Sequence, residues 1–116
     1  WKKHVIDIRD IIHAYDMMIC NTNTFGSTYQ IAGPKSFKWS EVIPFLSKKL
    51  NMNYCSVDIP TNPTYYEFDL SSCKKDFNFD PKWDIFSMID DEINSSEDNF
   101  GDLIPTEINF RRGFQA

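Results

Sequence analysis

The chain has 116 residues, 41% of them hydrophobic and 16% aromatic, about one domain with enough apolar material for a core. Twelve Lys and Arg against 17 Asp and Glu leave a net charge of −5, the wrong sign for a surface that displaces counterions from nucleic acid. The longest near-apolar stretch, residues 11–20, is interrupted by His13 and Asp16 and falls far short of the roughly 20 residues that cross a bilayer. No nucleic-acid partner and no membrane span are therefore expected.

The chain opens on Trp1 with neither an Arg-rich leader nor an apolar signal segment, and it is expected to be a piece of a longer protein. Cys20, Cys55 and Cys73 are odd in number and too widely spaced for a Cys-x-x-Cys clip. They are expected as free thiols in a cytoplasmic setting, each acting as a small core hydrophobe.

In chain order, Val5, Ile6 and Ile8 form a β-branched run that predicts a short strand. Asp10 stands where the N-cap of a following helix belongs, and Ile11, Ile12, Tyr15, Met18 and Ile19 recur at helical spacing as its inward face. His13 on this helix is expected to be solvated. Residues 21–27 are a polar loop, and residues 28–32 predict a second strand stopped by Gly33-Pro34.

The next helix has two candidate starts. Lys38 at the N-cap sets Glu41 at the capping-box position and Phe37 against Val42, but puts Pro44 inside the helix; Ser40 is the better cap and moves Pro44 into the first turn. Val42, Ile43, Phe45, Leu46 and Leu50 form its buried stripe, with Lys48 and Lys49 suited to its C-terminal dipole. Residues 54–59 predict a third extended segment ended by Pro60. Asp69 then caps a short helix closed by Asn78 in the left-handed conformation, and Asp84 caps a last helix carrying Ile85, Met88, Ile89 and Ile93. Residues 95–102 predict an acidic loop, and Glu107-Ile108-Asn109-Phe110-Arg111-Arg112 one further turn or two. The fold class expected is α+β, a small mixed unit with more helix than strand.

The chemistry is defined first by what is missing. Gly26, Gly33, Gly101 and Gly113 are scattered, so no Gly-rich loop can wrap a phosphate between a strand and a helix. No Tyr is followed four residues later by a Lys, and His4 and His13 have no carboxylates at metal-ligand spacing. No catalytic, cofactor-binding or metal-binding residues are therefore assigned to this chain alone.

The order of elements is more informative. Lys3-His4-Val5-Ile6-Asp7-Ile8-Arg9-Asp10-Ile11, then Tyr29-Gln30-Ile31-Ala32-Gly33-Pro34, then Trp39-Ser40-Glu41-Val42 follow one another, and Phe68-Asp69-Leu70-Ser71 and Phe77-Asn78-Phe79-Asp80-Pro81 complete the series. This series resembles the C-terminal half of extended short-chain dehydrogenases/reductases, the NAD(P)-dependent epimerase/dehydratase family. The likeness spans residues 1–94, leaving residues 95–116 as an acidic loop and tail.

The resemblance implies a substrate-binding lobe that packs on an N-terminal Rossmann domain absent from these residues. That domain would bind NAD or NADP and supply the Tyr/Lys acid–base pair, while the lobe closes over a sugar-like, often nucleotide-activated, substrate. Many members are homodimers. Lys3 falls where the family often places an Arg on the substrate phosphates, or is simply an exposed Lys. Arg9 either faces the cleft or pairs with a nearby carboxylate, and Tyr66, with Tyr65, either lines the pocket or packs beside Phe68. The stretch that carries an Arg in nucleotide-sugar members reads Ile59-Pro60-Thr61-Asn62-Pro63-Thr64 here. It holds no cation for a diphosphate, which leaves room for a less charged substrate. The alternative is a non-catalytic interaction or scaffold domain that reuses the same lobe. If the chain is a piece of such an enzyme, the first strand and helix faces meant for the Rossmann domain would form an exposed apolar patch, and self-association or partial disorder of the isolated chain is expected.

Overall fold

A computed structural model describes residues 1–97. The described residues form β1 (Lys2–Lys3), α1 (Ile8–Met18), a 3-10 turn (Thr22–Thr24), β2 (Phe37–Lys38), α2 (Trp39–Leu50), α3 (Ser71–Phe77) and α4 (Ile85–Glu97). Four helices thus accompany one two-stranded antiparallel sheet, in which Lys2 pairs with Lys38 and Lys3 with Phe37. The mixed, helix-rich class expected from the sequence holds at this level.

β1 is the centre of a wider arrangement. On its other edge Lys2 bridges in parallel to Tyr65, with Lys2 N–H donating to the Thr64 carbonyl and Tyr66 N–H donating to the Lys2 carbonyl, both at 2.9 Å. Two segments distant in sequence are thereby drawn around Lys2 and Lys3. The strand expected at residues 5–8 does not form. Val5 is extended and its carbonyl accepts from Gly33 N–H at 2.7 Å, but the helix begins at Ile8 because Asp7, not Asp10, is the N-cap. Asp7 Oδ1 accepts from Arg9 N–H at 2.8 Å, satisfying one of the orphan donors of the first turn.

The buried face of the helix also differs from the expected one. Asp10 and Ala14 are buried, Met17 and Met18 are half-buried, and Ile8, Ile12, Tyr15 and Ile19 are exposed. The inward face expected from Ile12, Tyr15 and Ile19 is corrected accordingly. The core forms where α1 meets α3, with Ala14, Cys73, Phe77 and Phe79 buried and Ile6, Met17, Met18, Tyr29, Ile31 and Leu70 packed around them. Ala14 is wholly buried, so α1 contributes a small side chain to this core. His13 is exposed, as expected.

Residues 28–32 cross α3 without forming the expected strand. Their polar groups are taken by side chains and single contacts in place of a ladder. The Cys73 thiol donates to the Gln30 carbonyl at 3.0 Å, and the Tyr29 hydroxyl donates to Asp76 Oδ2 at 2.6 Å. Burial pushes the Cys73 thiol up, and the neighbouring Asp76 carboxylate raises the Tyr29 phenol. Cys73 is the core hydrophobe expected, whereas Cys20 and Cys55 are exposed.

α2 begins at Trp39, so the Lys38 start is the one realised: Lys38 N–H donates to Glu41 Oε2 at 3.3 Å, and Pro44 is accommodated inside the helix. Asn51 ends it in the left-handed conformation with φ 50°, and Asn78 ends α3 likewise at φ 53°. Phe45 of α2 meets Phe86 of α4 edge to face at 5.0 Å, and Lys49 pairs with Asp90 at 2.8 Å. At the start of α4 Asp84 Oδ1 accepts from Ser87 N–H at 2.9 Å while Ser87 Oγ accepts from Asp84 N–H at 3.1 Å, a reciprocal cap. Burial pushes the Asp84 carboxyl up, but the Ser87 bonds and the Lys35 ammonium bring it below its ordinary value on balance.

Residues 54–59 are exposed and belong to no strand. α4 continues through Glu97, so the acidic stretch expected from residue 95 starts within a helix. Residues 98–116, with the rest of that stretch and the expected turn at Glu107, lie outside the described residues. No helix among the described residues is long and apolar enough to cross a membrane.

Candidate functional site

The antiparallel pairing of β1 and β2 and the bridge from Lys2 to Tyr65 place Lys3, Phe37 and Tyr66 around one cleft of about 440 Å³. Its lining is completed by His4 and Val5 from the chain after β1, Trp39 from the first turn of α2, Phe68, and Ile85 from α4. Side chains two residues apart in an extended chain point the same way, so Phe37 and Trp39 come as one pair and Tyr66 and Phe68 as another. Phe37 and Trp39 meet edge to face at 5.3 Å, with Phe37 buried and Trp39 45% exposed. Trp39 also borders a neighbouring hollow of about 680 Å³ between α2 and residues 54–59.

His4 fastens the two sides of the cleft. Its Nδ1 accepts from Phe68 N–H at 3.0 Å, which leaves the proton on Nε2 to be donated to the Gly33 carbonyl at 2.8 Å. The ring also stacks on Phe68 with centroids 5.8 Å apart. Both nitrogens are thus committed, and His4 acts as a clip with no lone pair left for a proton in flight or a metal. Among the described residues there is no group of three or more His, Cys, Asp or Glu that could hold a metal ion.

Lys3 supplies the charge at the cleft. Its Nζ donates to Thr64 Oγ1 at 3.3 Å and lies 4.7 Å from the centre of the Tyr66 ring. It makes no ion pair among the described residues. The nearest acid on the same segment, Glu67, is already engaged: Lys2 Nζ donates to one carboxylate oxygen at 2.6 Å and Ser36 Oγ to the other at 2.8 Å. These two contacts hold the Glu67 carboxyl below its ordinary value.

Of the three candidate binding residues, the structure brings Lys3 and Tyr66 together and sets Arg9 elsewhere. The Arg9 guanidinium donates to both Asp7 oxygens at 2.8 Å, to Asp91 Oδ2 at 2.8 Å, and lies 3.3 Å from the centre of the Trp83 ring. The Asp7 bond, most of all, raises the Arg9 pKa and holds the Asp7 carboxyl low. Arg9 therefore has the carboxylate partner that the sequence reading left as one of its two options. Tyr65 is 65% exposed and does not line the cleft. Sequence reasoning missed Trp39, Phe37 and Phe68 as lining residues. The signal available was the aromatic-x-aromatic spacing in both segments.

Compared with protein-family models, with curated proteins and with solved structures, the chain matches none.

Proposed function

We propose that this chain is a substrate-binding lobe of an NAD(P)-dependent enzyme of the epimerase/dehydratase type, with the cleft beside β1 as its ligand site. The observation that carries the reading is the meeting over one cleft of Lys3, at the position the resemblance gives to a substrate-contacting cation, and Tyr66, a candidate pocket residue. The lobe would hold and orient a small sugar-like substrate. The nicotinamide cofactor and the acid–base pair would come from a Rossmann portion outside these residues, which also supplies the hydride chemistry. His4 cannot move a proton in that role, since it is bonded at both nitrogens.

The test is a titration of the protein expressed from its complete coding sequence with NAD(H) and NADP(H). Saturable binding of either is expected; binding of neither removes the reading. A second reading, a non-catalytic interaction module, is favoured by the apolar face that α1 leaves exposed at Ile8, Ile12, Tyr15 and Ile19. It expects a complete coding sequence without a Gly-rich loop or a Tyr-x-x-x-Lys pair.

A further inference from the structure

We infer that the cleft beside β1 takes a flat, amphipathic mono-anion: a ring system lying against Trp39, Tyr66 and Phe68, with one carboxylate or other singly charged group on Lys3. The inference rests on the reading of this cleft as the ligand site and replaces the sugar-like substrate given there with a flatter, less hydroxylated one.

The polar inventory of the cleft decides the class. Lys3 is its one charged lining residue. The His4 ring has both nitrogens spent on Gly33 and Phe68. The rest of the lining is Val5, Ile85 and four aromatic rings. A polyhydroxylated ligand held here would leave hydroxyls without partners, at about 1–3 kcal/mol for each one buried. A diphosphate would bring at least two charges to one ammonium. A carboxylate on an apolar ring matches the inventory on both counts.

Lys3 is also poised differently from Lys2 beside it, whose ammonium is already held by the Glu67 carboxylate at 2.6 Å. Lys3 instead meets a hydroxyl and an aromatic face, and an ammonium has three donors, so it can bind an anion without first breaking an ion pair. The volume of about 440 Å³ lies within the range of roughly 300–1,000 Å³ usual for small-molecule sites.

The probes are 2-naphthoate, its neutral analogue 2-naphthalenemethanol, and a nucleoside diphosphate sugar. They are titrated into the 116-residue chain by calorimetry, with the indole N–H resonance of Trp39 as the local reporter. Naphthoate is expected to bind and shift Trp39, and the alcohol to bind about 10-fold more weakly, as a charge-assisted hydrogen bond would dictate. Lys3→Met, which keeps the stem and the strand backbone, is expected to abolish that difference, and Lys3→Arg to retain it. Equal affinities in the parent chain, no shift at Trp39, or a difference that survives in Lys3→Met overturns the inference. Binding of the diphosphate sugar with none of naphthoate also overturns it while leaving the substrate-lobe reading intact. Naphthoate binding by a complete protein that binds neither nicotinamide cofactor supports the ligand class and removes the enzyme reading instead.

Discussion

Asp10 and Asp7 lie three residues apart in one turn and do different work. Asp10 is buried and accepts from the backbone N–H groups of Lys82 and Trp83, both at 2.9 Å, across 72 and 73 residues of sequence. It ties the first turn of α1 to the lead-in of α4. Asp10→Ala leaves two donors unpaired and is expected to cost about 3 kcal/mol, read as a fall in the urea midpoint at unchanged slope. Asp10→Asn keeps an acceptor and is expected to lose less. Asp7 carries a pH dependence. Its carboxyl is held low by Arg9, so between its folded value and the ordinary Asp value of about 3.9 the unfolded chain binds more protons than the folded one. Its contribution is fully present above that ordinary value and is lost as pH falls through the folded value. Asp7→Asn is expected to shrink the stability difference between about pH 5 and about pH 3. An undiminished difference, by denaturant titration at both pH values, would show that Glu67, Asp69, Asp80 and Asp84, which are also held low, account for it all.

Among elements, the segment around Gly33 is the tightest joint. A Cβ built there would stand 2.6 Å from the Val5 carbonyl oxygen, the same atom that accepts the Gly33 N–H. The clash is with backbone, which cannot swing aside. Gly33→Ala is expected to destabilise by about 1–3 kcal/mol and to loosen His4, whose Nε2 rests on the Gly33 carbonyl. The local readout is loss of exchange protection at Phe68 N–H.

Elements with local causes were legible in the sequence: the cap at Asp84 and the left-handed Asn78, with the start of α2 left open between Lys38 and Ser40. Elements that depend on distant partners were not. Val5 and residues 28–32 have strand-like composition, but their polar groups bond to Gly33, to Cys73 and to Asp76, which composition does not reveal. The face of α1 was misjudged because Ile12, Tyr15 and Ile19 are apolar without being inward; the side that packs is set by the small Ala14 and the buried Asp10. At the cleft, Lys3 stood out through the motif series and Tyr66 through its place beside Phe68, whereas the aromatic wall of Phe37, Trp39 and Phe68 appears only once β1 draws its neighbours together.

At the scale of the whole described molecule, seven hydrophobic residues are buried while 17 large ones are exposed. Such a balance favours association, because each apolar side chain covered gains roughly 1.5–3 kcal/mol over one left in water. The isolated chain is expected to self-associate, with a sedimentation coefficient that rises with concentration. Ile12→Lys, at a site 61% exposed, is expected to shift it toward monomer without lowering its unfolding midpoint. A concentration-independent monomer would count against this.

β1 is only two residues long, yet one edge takes β2 and the other residues 64–66. Loops of about 30 and 60 residues must therefore close before the cleft exists, and only short stretches of hydrogen bonding hold them shut. The cleft is therefore an early-opening part of the fold, while the core around Ala14, Cys73, Phe77 and Phe79 persists. A ligand seated between Lys3 and Tyr66 would bridge the final closure, so its binding energy would appear as added stability of this joint more than of the helices.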